Sequence, residues 1–273
     1  MSSSVTTKQR RSQQRRSQVK RYWELLRVLV ERNLKVRYRG SLLGIYWSLL
    51  NPLIMTGLYT AVFGSTFASY YGDSVINYVL AAFTGLATFH FFSGTTSQAL
   101  PSVVENGELL NKICLPMSVF PMSIVTANVF QFAVGGLLLL EIVTLVTSKS
   151  LINVLALTLP VLALACLCIG FGLLLSALYV FFRDLSYLYE LVSFVLWISS
   201  PVFYPPEIVP DTVKPFLLLN PLTPIIESIR QISLSGELPD LALIGHSWLN
   251  GVVILVMGWS YFHWCRPKFM DLL

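Results

Sequence analysis

Five long stretches without a charged residue dominate this 273-residue chain, at residues 40–72, 74–104, 113–140, 150–182 and 241–265. A helix needs about 20 mainly apolar residues to cross the roughly 30 Å hydrocarbon core of a bilayer, and each stretch is longer than that. Only 12% of the residues are charged and the mean hydropathy is +0.67, which excludes a water-soluble domain. The chain is therefore predicted to be a membrane protein.

These stretches, together with a shorter apolar segment after residue 186, predict six transmembrane helices. The predicted bounds are 47–67, 78–100, 118–146, 154–181, 187–204 and 243–264. The first of them is not a cleaved signal peptide, because its basic flank and its apolar run are both too long. The predicted fold class is an all-α membrane protein.

Basic residues are concentrated near the N-terminus, where residues 1–39 contain twelve Lys or Arg and only two acidic residues, Glu24 and Glu31. An even number of spans places both termini on one side, and that side would then hold 16 of the 19 Lys and Arg residues. Positively charged segments stay on the cytoplasmic side. We therefore expect a multi-pass protein of the plasma or inner membrane with both termini in the cytoplasm.

The N-terminal region divides at about residue 20. Residues 1–20 contain few apolar residues to bury and are predicted to form a basic disordered arm, whereas residues 21–273 are predicted to form a single transmembrane domain. At the start of that domain, residues 21–39 carry an apolar stripe opposite alternating acidic and basic residues. This pattern predicts an amphipathic helix in the membrane interface, either as a lipid anchor or as a lever against a cytoplasmic partner.

Two connections are expected on the cytoplasmic side. Residues 105–116 (ENGELLNKICLP) have room for one short amphipathic helix, which is either a docking helix for a soluble subunit or part of an ordinary solvated loop. Arg183 and Asp184 end the fourth predicted span, where Asp184 is placed to cap the fifth helix. A structural role and a partner contact both fit this pair.

Residues 201–240 are expected on the outer side, where eight prolines interrupt apolar stretches. The uncharged run 215–226 is too short to span the membrane but long enough to enter it and return. Irregular backbone at membrane depth requires protein or a watery cavity beside it. Two short re-entrant helices, at about 206–217 and 222–234, are therefore predicted before the last span; the alternative is a proline-rich cap on the membrane surface.

The sequence offers no catalytic or metal-binding constellation. It contains no Gly-Lys pair, so a phosphate-binding P-loop is excluded, and its three His and four Cys lack the spacing of metal ligands. We expect no catalytic residue, no metal and no cofactor on this chain. Such a chain fits a conduit that a separate motor drives.

Several motifs resemble, in the same order, those of ABC-2 type permeases that export polysaccharides. They are RNLKVRYRGSLLGIYWSLLNP at 32–52, NKICLP at 111–116, FFRD at 181–184, SPVFYP at 200–205 and NPLTP at 220–224. The resemblance covers about residues 22–270. It implies the transmembrane subunit of an exporter for a lipid-linked polysaccharide such as O-antigen, capsule or teichoic acid.

The resemblance also implies the partners. It implies a homodimer of this chain in contact with membrane lipids and with two copies of an ATPase subunit, which would bind ATP and Mg. No nucleic acid is expected.

Two sets of site residues are expected. The set at the cytoplasmic entrance or the ATPase contact is Arg32, Lys35, Arg37, Arg39, Glu105, Glu108, Leu110, Lys112, Arg183 and Asp184. The set along the substrate path and its exit is Tyr59, Phe63, Tyr204, Pro205, Asn220, Pro221, Pro224 and Glu227. In the first set, the apolar side chain of Leu110 is expected to fill a cleft in a soluble partner. In the second, aromatic and polar groups are expected to contact a passing sugar chain.

Two alternatives stay open at this point. The same architecture fits a permease for a small hydrophobic drug or lipid. A membrane-bound glycan-modifying enzyme with chemistry at the outer face is the alternative from another class, although Glu207, Asp211, Glu227 and His246 are too dispersed to nominate a catalytic site.

Overall fold

The computed structural model describes residues 3–112, 115–235, 239–269 and 272, and these residues form helices and no strand. The all-α class predicted from the sequence is confirmed. Among the described residues, four helices are long and apolar enough to cross a membrane. They are Val75–Ala99, Val119–Ser148, Leu151–Phe181 and Leu241–Phe269.

The helices are numbered in chain order. They are α1 (Ser3–Tyr38), α2 (Trp47–Phe67), α3 (Val75–Ala99), α4 (Ser102–Glu105), α5 (Gly107–Lys112), α6 (Val119–Phe132), α7 (Leu138–Ser148), α8 (Leu151–Phe181), α9 (Leu185–Ser199), α10 (Lys214–Leu219), α11 (Thr223–Leu234) and α12 (Leu241–Phe269). A π-helical segment, Ala133–Leu137, joins α6 to α7 in one continuous rod. We call the end of the bundle that carries α1 the α1 end, and the opposite end the α11 end.

Two of the six predicted spans are not among the four long apolar helices. α2 has 21 uncharged residues at the predicted position, but Asn51, Pro52 and Gly57 lower its hydropathy. α9 ends at Ser199 instead of continuing to residue 204, and its 15 residues rise only about 22 Å. That length is shorter than the hydrocarbon core of a bilayer.

α1 is longer than expected. Its backbone is helical from Ser3 onward, where the sequence predicts disorder as far as residue 20. Arg, Gln and Lys, which are frequent in this stretch, have high helix propensity, and this favours the helix. α1 continues through residue 20 without a break. The division of the chain at that residue stays a prediction.

The apolar face of α1 packs on the rest of the chain. Leu26 and Leu29 are 5% and 4% exposed and share a cluster with Val103 and Leu110, whereas Trp23 is exposed. The cluster also includes side chains from the ends of α8 and α12. The predicted amphipathic stripe therefore covers the α1 end of the bundle.

Glycines bring the backbones of α8 and α12 together. A Cβ atom on Gly258 would collide with the carbonyl oxygen of Gly170, and one on Gly251 would collide with that of Ala163. Small residues at helix contacts allow this close approach in membrane proteins. The backbones of α8 and α12 are thus tightly packed against each other.

At the α11 end, α11 is inserted between α3, α7, α8 and α12. Eight of its twelve residues are buried, so it is covered on most sides. Its bounds agree with the predicted helix at 222–234. The predicted helix at 206–217 is wrong as a continuous element: a 3₁₀ turn at Pro206–Ile208 and the separate α10 replace it, because Pro210 interrupts the segment.

Candidate functional site

A polar cavity lies where α1, α2, α3 and α6 meet, with a volume of about 210 Å³. Its polar lining consists of Arg37, Ser48, Asn51, His90, Gln98, Asn128 and Gln131. No Asp or Glu is among its lining residues in the described part of the chain. The cavity therefore suits a polar neutral or anionic group better than a cation.

Arg37 supplies the positive charge of this cavity and is half-buried. Its Nη1 donates to Asn128 Oδ1 at 2.9 Å and to Gln131 Oε1 at 2.5 Å. Asn128 Nδ2 in turn lies 3.4 Å from Gln98 Oε1. Since these acceptors are neutral amides, they orient the guanidinium without neutralising its charge.

Sequence reasoning identified Arg37 but missed the amides that hold it. Gln98, Asn128 and Gln131 belong to no motif. Their one signal is that they are strongly polar residues in or beside long apolar helices, where a polar side chain needs a partner.

Two further hydrogen bonds tie α1 to its neighbours. Arg32 Nη2 donates to Asn106 Oδ1 at 3.0 Å, in the connection between α4 and α5, and Asn33 Nδ2 donates to Ser123 Oγ at 3.0 Å, in α6. Arg37 follows one helical turn after Asn33. A displacement of the α4–α5 connection would therefore reach the cavity through α1.

The other charged residues of the first predicted set lie on the surface of the α1 end. Lys35, Arg39, Glu105 and Glu108 are exposed, and Lys35 Nζ is 3.9 Å from Glu31 Oε2. Lys112 ends α5, and its side chain lies outside the described residues, as do residues 113–114 of the predicted docking segment.

The pair after α8 is also exposed. The Arg183 guanidinium lies 5.7 Å from the ring centroid of Tyr179. Asp184 occupies the N-cap position of α9, as predicted, but in the described part of the chain its side chain makes no capping hydrogen bond. Both side chains are free to face solvent or a partner.

The position of Leu110 contradicts the expectation that its side chain fills a cleft in a soluble partner. It is 4% exposed and packs in the cluster that contains Leu26 and Leu29. An apolar residue beside charged ones indicates burial, but not against which surface. Leu110 fills space inside its own chain and is not available to fill a cleft in a partner.

Aromatic rings from three segments form a ladder in the half of the bundle nearer the α11 end. We call Tyr59, Phe63, Phe67, Trp197 and Phe203 the aromatic ladder. Ring centroids lie 4.6 Å apart for Tyr59 and Phe203, 5.6 Å for Phe63 and Phe67, and 6.0 Å for Trp197 and Phe203. The rings are partly buried, which leaves part of each aromatic surface open. Tyr59 and Phe63 were predicted path residues; Trp197 and Phe203 were missed because they come from distant segments.

The Asn220 side chain holds two segments of the backbone together by hydrogen bonds. It is 4% exposed, and its Nδ2 donates to Leu196 O at 3.2 Å and to the hydroxyls of Ser199 and Ser200, both at 2.8 Å. Its Oδ1 accepts from Leu222 N at 2.9 Å. The polar groups of Asn220 therefore join the end of α9 to the start of α11, and the expectation that they contact a passing sugar is wrong.

The remaining predicted exit residues lie in the segment after α9 and around the start of α11. Pro205 is buried and Tyr204 donates from its hydroxyl to Ile198 O at 2.8 Å. Pro221 and Pro224 are half-buried, and Pro224 lies in the first turn of α11, where a helix needs no N–H donor. These four residues shape the backbone of the α11 end.

Arg230 is the residue at the α11 end that sequence reasoning missed. It is 8% exposed, and its Nη2 donates to Pro201 O at 2.6 Å, Val202 O at 3.2 Å and Ala81 O at 3.3 Å. Glu227 lies one turn before it on α11. Burial raises the pKa of the Glu227 carboxyl, and the Arg230 guanidinium opposes that rise.

The chain belongs to the ABC-2 type transporter family, whose family model matches residues 24–234. The matched region contains the cavity, most of α1 that packs on the bundle, the aromatic ladder and α11. The family resemblance drawn from the sequence motifs is confirmed.

The chain is also similar to individual permeases. It is 27% identical over 256 residues to an O-antigen export system permease protein RfbA of Klebsiella pneumoniae, with 92% of this chain and 95% of the relative covered. A protein of the same name from Myxococcus xanthus is 28% identical over 252 residues, with the same coverage.

Proposed function

We propose that this chain is the transmembrane subunit of an ATP-driven exporter that moves a lipid-linked polysaccharide outward across the plasma or inner membrane. The observation that carries the proposal is the hydrogen-bonded connection from Asn106 through α1 to the Arg37 cavity. It gives a surface at the α1 end a mechanical route to a polar site inside the bundle. The names of the relatives favour O-antigen over capsule or teichoic acid as the cargo.

In this proposal the α1 end is cytoplasmic, and α2 and α9, as the first and fifth spans in chain order, bring the four long apolar helices to six spans. The positive charge of the N-terminal region supports this orientation. α11 is a re-entrant element from the outer side. In support, Arg230 bonds to the carbonyl of Ala81, which lies six residues into α3 and hence about 9 Å below its first residue.

A partner subunit supplies the energy. The exposed residues Glu105, Glu108, Arg183 and Asp184 form the surface that meets an ATPase, of which two copies would bind ATP and Mg. The surrounding lipid or a second copy of this chain covers α9, which has no buried residue among its described positions. A homodimer would place a continuous path between the two copies.

The substrate enters by its polar head. The cavity accepts a polar or anionic head group beside Arg37, and the aromatic ladder then offers apolar ring faces to the sugar units. Such contacts are weak and repeated, which suits a chain that must keep moving.

Deletion of the gene tests the proposal. We expect surface polysaccharide to disappear and lipid-linked glycan to accumulate in the cytoplasm, with both restored by the wild-type gene. An Arg37→Gln variant should restore export poorly, whereas Arg39→Gln, which removes an exposed arginine outside the cavity, should restore it fully. Normal surface polysaccharide in the deletion strain would contradict the proposal.

A further inference from the structure

A second pocket opens at the α11 end, with a volume of about 310 Å³. It is lined by the turn before α3, the first turn of α3, the 3₁₀ turn after α9, and the chain from the middle of α11 to the residue after its end. Its lining consists of Tyr71, Asn77, Pro206, Glu207, Glu227, Arg230, Gln231, Leu234 and Ser235. The pocket is separate from the Arg37 cavity, and no residue lines both.

Arg230, which lines this pocket, carries unused donors. Its Nη2 is fully occupied by three backbone carbonyls, but its buried Nε and Nη1 have no hydrogen-bond partner among the described residues. A buried donor without a partner costs on the order of 1–3 kcal/mol, and more when it is charged. Both nitrogens are closed to solvent in this conformation, so a ligand oxygen in the pocket would remove that cost once the guanidinium turned toward it.

The other polar groups restrict the ligand. Glu207 and Glu227 line the same pocket, so an anion beside Arg230 would be repelled by two carboxylates, and a cation beside them would be repelled by the guanidinium. A neutral ligand that both accepts and donates hydrogen bonds satisfies all three groups. Vicinal hydroxyls have this chemistry, and the Tyr71 ring adds an aromatic face.

The pocket continues the aromatic ladder. The ring of Phe67, at the end of the ladder, lies 5.8 Å from that of Tyr78, and Tyr78 lies 6.0 Å from Tyr71, measured between centroids. Tyr78 is fully buried, so these rings connect the ladder to the pocket through packed core side chains.

We propose that this pocket binds a neutral sugar unit of the exported polysaccharide on the outer side of the membrane. Arg230 donates to a sugar oxygen, and Glu207 and Glu227 accept from hydroxyls. The identity of the ligand rests on the proposed function; the preference for a neutral polyhydroxylated group rests on the pocket itself.

Cysteine protection tests the proposal in the full-length chain, assembled with its ATPase partner in lipid nanodiscs. Ser235→Cys places a thiol at the pocket, and Asp211→Cys places one on an exposed position of the same outer segment outside the lining. The rate of maleimide labelling is measured with and without lipid-free polysaccharide released from the source strain. Labelling of the wild-type chain is subtracted, and polyethylene glycol of the same mean length controls for crowding.

We expect the polysaccharide to slow labelling of Ser235→Cys roughly threefold at a concentration about twice its Kd and to leave Asp211→Cys unchanged. Adding Glu227→Gln or Glu207→Gln to Ser235→Cys should remove at least about half of the protection, because each variant loses a charged acceptor. The bonds that hold the backbone around this pocket come from Arg230, which neither variant changes.

Three results would overturn the proposal. They are equal labelling with and without polysaccharide, equal slowing by polyethylene glycol or at Asp211→Cys, and protection that survives both glutamate variants. If export still depends on the chain while protection is absent, only this inference fails. If the deletion strain exports normally, the proposed function fails instead.

Discussion

Two arginines at opposite ends of the bundle are held in different ways. Arg37, at the α1 end, is half-buried and donates to the side-chain amides of Asn128 and Gln131. Arg230, at the α11 end, is 8% exposed and donates to backbone carbonyls of α3 and of the segment after α9. Amide side chains can rotate with a moving arginine, whereas backbone carbonyls cannot follow it.

The same difference extends to the surroundings. At the α1 end, Arg32–Asn106 is an exposed contact between side chains, of a kind that contributes little to stability and can break and form again during a transport cycle. At the α11 end, Asn220 and Arg230 hold irregular backbone through buried bonds, which are costly to break. We infer that the α1 end is built to move and the α11 end is built to keep its shape.

The sharpest test of this difference exchanges each arginine for methionine. Arg230→Met should lower the free energy of unfolding by about 1–3 kcal/mol, because the buried carbonyls of Pro201 and Val202 lose their donor while removal of the unpaired Nε and Nη1 offsets part of that loss. Arg37→Met should cost about 1 kcal/mol or less, since Asn128 and Gln131 can turn to each other. Denaturant unfolding of the detergent-purified chain measures both.

Arg230→Lys is the control for charge and should lie between the wild type and Arg230→Met. If Arg230→Met does not accumulate at all, Arg230→Lys still reports the order of the effects. Equal losses for Arg37→Met and Arg230→Met would contradict the distinction between the two ends.

An effect of similar size, but confined to local detachment, is expected at the α1 end. Leu110→Asp places a carboxylate at a position that is 4% exposed, in the cluster that holds α1 on the bundle. Burying an unpaired charge costs about 3 kcal/mol or more, so α5 and α1 should detach locally while the membrane helices stay inserted. Pull-down of the ATPase partner and protease sensitivity of α1 report the detachment.

Glu108→Arg is the matched control for stability and protease sensitivity, since it changes a charge on the same short helix at an exposed position. It should alter stability by less than about 0.5 kcal/mol. A Leu110→Asp chain with a protease-resistant α1 and normal assembly would show that the α1 cluster does not hold the helix.

Loss of the hydrogen bond between Arg32 and Asn106 should change stability only slightly but reduce export strongly. Arg32→Gln removes the bond to Asn106, and Arg27→Gln removes a comparable exposed contact to Glu31, 3.2 Å long, within α1. Each should change stability by less than about 1 kcal/mol. Export assayed as surface polysaccharide should fall several-fold for Arg32→Gln but not for Arg27→Gln, because of these two arginines it is Arg32 that bonds to the α4–α5 connection. Equal export by the two variants would remove the mechanical role of this bond.

Sequence reasoning predicted the parts of the molecule that depend on local pattern. Long uncharged stretches predicted the four long apolar helices, proline and apolar spacing predicted α11, and ordered motifs predicted the family. It failed where the outcome depends on contacts distant along the chain. Leu110 and Asn220 show the reason: an apolar residue among charges does not reveal which surface covers it, and an amide among prolines does not reveal that a distant helix end binds it.

Arg230 shows the same limit for charge. In the sequence it is one cation in an outer segment, and only the insertion of α11 between four helices shows that it is buried. Its partners are backbone carbonyls, which carry no side-chain signature.

The smallest expected effect is a dependence of stability on pH at the α11 end. Burial raises the pKa of Glu227 above its ordinary value of 4.5 despite the attraction of Arg230, so the folded state holds this proton more tightly than the unfolded state does. Protonation therefore favours folding, and the ionised carboxylate is a penalty above the folded pKa that disappears as the pH falls below 4.5. Glu227→Gln should raise the free energy of unfolding at pH 7 by less than about 1 kcal/mol and leave it unchanged near pH 4.

Asp211→Asn is the control with the opposite sign. The hydrogen bond from Lys214 lowers the pKa of Asp211, so removing that carboxylate should slightly lower stability at pH 7 and have no effect at low pH. Thermal unfolding of the two variants at both pH values decides the matter, and a Glu227→Gln chain that is less stable than the wild type at pH 7 would show that the attraction of Arg230 outweighs burial.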